Sequence, residues 1–122
     1  SGADTFIGDA NNNTFTGGTG SDTVDYSSAA AAIVADMSIG AAGSGTITGS
    51  ASGSDSVLTM ERVIGTNFDD TLISGLGADT FIAGAGTDTM SFANLATAVT
   101  VTLAAATPGQ GTATGQGADS FT

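Results

Sequence analysis

Carboxylates recur along this 122-residue chain at an interval that points to one kind of chemistry. Asp4-Thr5-Phe6, Asn13-Thr14-Phe15 and Asp22-Thr23-Val24 are nine residues apart, and Asp70, Asp79 and Asp88 keep the same spacing later in the chain. Eleven of the twelve acidic residues are Asp, and there is no His and no Cys. An all-oxygen donor set suits a hard cation, whereas zinc and copper favour imidazole or thiolate ligands. The same absences leave no Ser-His-Asp triad and no H-E-x-x-H zinc site. Adjacent Asp69 and Asp70 do not make a catalytic pair, because neighbours in a strand point to opposite faces. The chain is therefore expected not to be an enzyme.

One Arg and no Lys leave a formal net charge of −11. Such a polyanion has no attraction for nucleic-acid phosphates or anionic membrane surfaces, but it attracts cations. No apolar run reaches membrane-spanning length, so membrane insertion is not expected. Nineteen Gly argue against helices, since each Gly in a helix interior costs roughly 1 kcal/mol. Disorder is opposed by 40% hydrophobic residues arranged in short regular runs, which disordered chains lack.

The acids must be positioned by very short elements. Each nine-residue step reads as a six-residue loop followed by a three-residue strand, stable only when stacked in a parallel coil. Phe6, Phe15 and Val24 then point inward, as do Phe81 and Tyr26, while Thr5, Thr14 and Thr23 point out. Glycines in the loops supply positive φ and close approach of neighbouring turns. From Tyr26 to Val63 the rhythm lapses, with strand-like patches at Ile33 to Met37, Thr46 to Thr48 and Ser56 to Leu58. Longer turns of the same coil are the simpler expectation there, and a hairpin laid on its side is the alternative. Asp36, Asp55 and Asp119 fall outside the nine-residue loops and read as turn or strand-edge acids, and Arg62, one residue from Glu61, as a surface residue. Residues 3–50 match 69–116 without a gap at 16 of 48 positions, an internal repeat with a period of 66.

Gly17-Gly18-Thr19-Gly20-Ser21-Asp22-Thr23-Val24-Asp25 spells G-G-x-G-x-D-x-U-x, with U a large apolar residue. It resembles the calcium-binding nonapeptide of RTX (repeats-in-toxin) proteins. The segments 74–82 and 83–91 are similar, with Ser74 and Ala83 in place of the first Gly, and Met60 to Leu72 is similar to the lead-in between repeat blocks of that family. The loop Gly8 to Asn13 has Asn for the final Asp. The resemblance implies an all-β, right-handed parallel β-roll or β-solenoid in which successive nonapeptides fall on alternate sides. Same-side loops are then two nonapeptides apart, which places Asp4 beside Asp22 and Asp70 beside Asp88, about one strand spacing, ~4.8 Å, along the axis. Two carboxylates so placed repel, and a bound cation reverses the sign. Calcium fits best, since it accepts six to eight oxygens in flexible geometry. The expected metal ligands are Asp4, Asp22, Asp70, Asp88 and Asp79, with backbone carbonyls of Gly17, Thr19, Gly84 and Ala85. Asp79 has no same-side Asp partner at that separation.

The expected whole is a single β-solenoid segment, 1–122, of a longer protein, with one repeat at 1–66 and an incomplete second at 67–122. Its expected function is a calcium-binding structural module of a secreted or cell-surface bacterial protein, folding and stacking on Ca2+ to form an array, fibre, surface layer or adhesin stalk. Head-to-tail self-association or contact with neighbouring repeats follows from such stacking. One alternative is the calcium-folding tail of a secreted RTX enzyme or toxin. Another is ice binding through the outward Thr rows.

Overall fold

A three-residue strand carries too few backbone groups to stand alone, so its amides and carbonyls must be paired from other turns of the chain. In the computed structural model, which describes residues 1–96, 100–103, 111–114 and 118–122, that pairing forms two sheets and, among the described residues, no helix. Strands β1 (Thr5–Ile7) and β3 (Thr23–Asp25) pair in parallel, Thr5 opposite Thr23 and Phe6 opposite Val24. Strand β2 (Thr14–Thr16) lies in the other sheet. Each nonapeptide step thus changes sheet, and every second step returns to the same one. The architecture is an all-β roll.

Residues 27–61 do not form longer turns of the coil. Strands β4 (Ile33–Asp36), β5 (Gly45–Gly49) and β6 (Gly53–Leu58) make an antiparallel meander inserted in the second sheet. Two local causes are visible. Gly40 and Gly43, with φ of 95° and 71°, reverse the chain between β4 and β5, and the Ser52 amide closes the turn into β6 on the Gly49 carbonyl. Strands of four to six residues with period-two alternation can then pair laterally. Ile47 and Val57 point in, and Thr48 and Ser56 point out.

The remaining strands are β7 (Arg62–Ile64), β8 (Thr71–Ile73), β9 (Thr80–Ile82), β10 (Thr89–Ser91), β11 (Thr100–Leu103), β12 (Gly111–Thr114) and β13 (Ala118–Phe121). The first sheet runs β1-β3-β7-β9-β13-β12-β11 and the second β10-β8-β4-β5-β6-β2. Strands β8, β9 and β10 are the counterparts of β1, β2 and β3 in the internal repeat, yet each lies in the opposite sheet. The chain crosses between sheets five times from β1 to β8, and an odd number of crossings exchanges them.

A thin core runs between the sheets. Val24, Val63 and Phe81 from the first meet Ile47, Val57, Ala35 and Leu72 from the second, closed off by Tyr26, Met37 and Met60, all fully or almost fully buried. Phe6 and Phe15 are only half-buried, their ring centroids 5.5 Å apart at the β1–β2 end. Arg62 lies exposed on β7.

Candidate metal centre

The loops that join the two sheets stack along two edges of the roll. Loops 17–22, 59–61 and 74–79 lead from the second sheet to the first, and loops 8–13, 65–70 and 83–88 lead back. Most end in a carboxylate immediately before a strand, and one backbone device recurs. The Asp4 amide donates to Asp22 Oδ1, 2.8 Å, and the Asp22 amide to Glu61 Oε2, 2.8 Å. On the other edge the Asn13 amide donates to Asp55 Oδ1, 2.7 Å, the Ile33 amide to Asp70 Oδ1, 2.8 Å, and the Asp70 amide to Asp88 Oδ1, 2.8 Å. In every case the carboxylate of one turn holds the amide of the turn stacked on its β1–β2 side. Each bond is charge-assisted. Together they line each edge with acidic groups.

The expected pairs Asp4/Asp22 and Asp70/Asp88 are brought together in this way. Asp22, Asp70 and Asp79 are buried, Asp88 is half-buried and Asp4 is exposed. Of the expected carbonyl donors, that of Thr19 accepts the Gly2 amide at 2.9 Å. Gly84 packs against its same-side neighbour, since a Cβ there would stand 2.0 Å from the Thr66 carbonyl oxygen. Ala85 is exposed. Gly17 is buried against Asp22: a Cβ would lie 2.4 Å from the Thr59 carbonyl oxygen and 2.5 Å from Asp22 Oδ2. Gly65 repeats the arrangement, with Ala83 O at 2.5 Å and Asp70 Oδ2 at 2.6 Å.

The two loops nevertheless differ in how their carboxylates are satisfied. Asp70 Oδ2 takes the Thr66 amide, 2.6 Å, and Oδ1 takes the Thr66 hydroxyl, 2.9 Å, besides the Ile33 amide. In the earlier loop the residue corresponding to Thr66 is Gly18, which has no hydroxyl and donates its amide to Thr59 Oγ1 instead, 2.7 Å. Asp22 is fully buried, and its Oδ2 has no hydrogen-bond partner among the described residues. The loop with Asn in the final position satisfies itself: Asp9 accepts the Asn11 amide and the Asn11 and Asn13 side-chain amides. Those bonds hold its carboxyl below the usual carboxylate range.

Two acids have roles that their positions in the sequence do not announce. Glu61 stands in the ladder between Asp22 and Asp79, so the same-side neighbour of Asp79 is a Glu, and its carbonyl accepts the Thr80 amide at 2.8 Å. Asp55 is not a strand-edge acid. It is 1% exposed, faces inward opposite Ile47, and accepts the Tyr26 hydroxyl as well as the Asn13 amide. Burial first, and then the Asp55 hydrogen bond and charge, push the Tyr26 phenol well above its ordinary value.

Among the described residues no three carboxylates converge on one point. A cation here would be held by one or two carboxylates with loop carbonyls. That donor chemistry suits calcium and not the softer metals. Residues 1–28 and 61–93 match the family model of the RTX calcium-binding nonapeptide repeat, which describes four copies of the motif. No curated protein and no solved structure matches the chain.

Proposed function

Because this chain belongs to the RTX calcium-binding nonapeptide repeat family, and is thereby a calcium-binding repeat module, we propose that its two acidic edges take up Ca2+ and that this uptake completes its folding. The observation that carries the reading is Asp22. Its carboxylate is fully buried, it is tied to the Asp4 loop two nonapeptides back, and no Lys or Arg among the described residues pairs with it. A buried charge without a counter-charge is strongly unfavourable. The residues that would hold calcium are Asp4 and Asp22 with the carbonyls of Gly17 and Thr19, and Asp70 and Asp88 with those of Gly84 and Ala85; Asp79 would serve beside Glu61. When bound, calcium supplies positive charge between stacked carboxylates. The chain's own part is to hold those carboxylates in register through the amide ladder.

The module acts as a non-catalytic, extracellular building block. Two tandem blocks, each carrying its own meander, support a surface array, fibre or adhesin stalk over the uninterrupted nonapeptides of an enzyme tail. Low calcium inside the cell keeps the chain loose for export, and high calcium outside folds it. Neighbouring repeats or further copies stack on its open ends. Circular dichroism during calcium titration and chelation tests the folding step. The expected result is a reversible gain of β signal and of protease resistance with Ca2+. A spectrum indifferent to chelator, with no metal retained on mass spectrometry, overturns it.

A further inference from the structure

Loop 17–22 meets the family's pattern on one side only. Toward β1 it stacks on the loop of Asp4, but on its other side it meets Thr59-Met60-Glu61, the exit of the meander, which is not a nonapeptide. Asp22 divides accordingly. Oδ1 is used by the Asp4 amide, while Oδ2 is fully buried, lacks a hydrogen-bond partner, and faces across Gly17 toward the Thr59 carbonyl oxygen. A Cβ on Gly17 would lie 2.4 Å from Thr59 O and 2.5 Å from both Asp22 Oδ2 and Asp22 Cβ, so the two oxygens crowd the same side of a residue that must be Gly. A buried carboxylate oxygen without a donor, on the same side of Gly17 as a carbonyl oxygen, calls for something positive beside it.

Three further observations point the same way. Thr59 has φ of 52°, the only positive value at a non-glycine residue among those described. For a β-branched residue this is a strained conformation, of the kind kept where a site requires it. It is held there by side-chain bonds, with Thr59 Oγ1 accepting the Gly18 amide and donating to the Leu58 carbonyl, both at 2.7 Å. Glu61 brings a second carboxylate, its Oε2 on the Asp22 amide. Finally, the loop at Gly65 is an internal control. Its geometry is the same, but Thr66 donates to both oxygens of Asp70 and nothing is left over.

We propose, resting on the calcium reading given above, that a calcium ion is held between the nonapeptide loop and the meander exit by Asp22 Oδ2 and the Thr59 carbonyl, with Glu61 as the second charge. This hybrid site ties the inserted meander to the nonapeptide coil. Its occupation depends on Glu61, which no nonapeptide contains.

The test is isothermal titration of the 122-residue chain with Ca2+ alone, comparing the native protein with Glu61→Gln and Asp88→Asn. E61Q keeps an acceptor for the Asp22 amide and removes only the charge. The expected result is that E61Q loses one Ca2+, or binds it about tenfold or more weakly, while the site lost in D88N is a different one and the two losses add. A native isotherm in E61Q overturns the hybrid site and leaves the calcium reading standing; absence of binding to the native chain overturns both. A second measurement covers a variant that folds poorly. Asp22→Asn places an amide donor toward Thr59 O and is expected to raise the midpoint of thermal unfolding in chelator. An unchanged or lower midpoint overturns the site.

Discussion

The Tyr26 hydroxyl donates to Asp55 Oδ2 inside the roll, joining the end of the third nonapeptide step to the inward face of the meander across 29 residues. Both residues are almost completely buried, and the other Asp55 oxygen holds the Asn13 amide. Tyr26→Phe is expected to leave a buried carboxylate oxygen unsatisfied and to destabilise the fold by about 1–3 kcal/mol. Urea denaturation reads this, and a Y26F chain as stable as the native one would show that the contact carries no net stability.

The same pair sets an alkaline limit. The Tyr26 phenol is held above its ordinary value in the folded chain, so the unfolded chain loses this proton first, from about pH 10 upward. Stability conferred by the protonated phenol is complete below that range and declines as pH rises through it, at about 1.4 kcal/mol per pH unit for one proton. Denaturation midpoints followed from about pH 9 to pH 12 should fall more steeply for the native chain than for Y26F; parallel curves would refute this.

Gly18 and Gly84 share a φ of +102°, but a Cβ on Gly18 meets nothing within 4 Å while one on Gly84 meets Thr66 O at 2.0 Å. Gly18→Ala should therefore cost only the left-handed backbone strain, about 1 kcal/mol. Gly84→Ala must also push loops 65–70 and 83–88 apart and should cost clearly more. Equal thermal shifts in the two variants would mean that the stacked loops yield without resistance.

Asp70 and Asp88 should separate structural from ionic roles. Asp70→Asn turns an amide donor against donors from Ile33 and Thr66, and is expected to cost about 1–3 kcal/mol even in chelator. Asn at 88 can still accept the Asp70 amide, so Asp88→Asn should change chelated stability little and calcium response strongly. Identical behaviour of the two variants in chelator would contradict this division.

The rungs are legible in the sequence because period nine repeats both the Thr and the inward apolar residue, as in Asp22-Thr23-Val24. The meander is not, because alternation such as Thr46-Ile47-Thr48 serves a parallel or an antiparallel partner equally well, and the turn glycines that decide it look like any loop glycines. Asp55 misleads for a related reason. Whether a strand acid faces in or out depends on its partner, here Tyr26, 29 residues earlier. Glu61 is hidden by its residue type and by lying outside the nonapeptide; its position one same-side step before Asp79 is the signal that could find it. Asp22 and Asp70 read alike in sequence, and only the contrast of Gly18 with Thr66 sets them apart.

The exchange of sheets from one block to the next has a mechanical consequence. The first block places four strands, β2 and β4 to β6, in one sheet and three, β1, β3 and β7, in the other. Stacked without exchange, the wider side would gain one strand spacing, ~4.8 Å, per block, and the rod would curl into an arc. Because β11 to β13 enter the opposite sheet, the next block widens the other side and the excess cancels. With seven strands in one sheet and six in the other, the two sheets keep nearly equal width, so further blocks stacked as proposed would extend a straight rod.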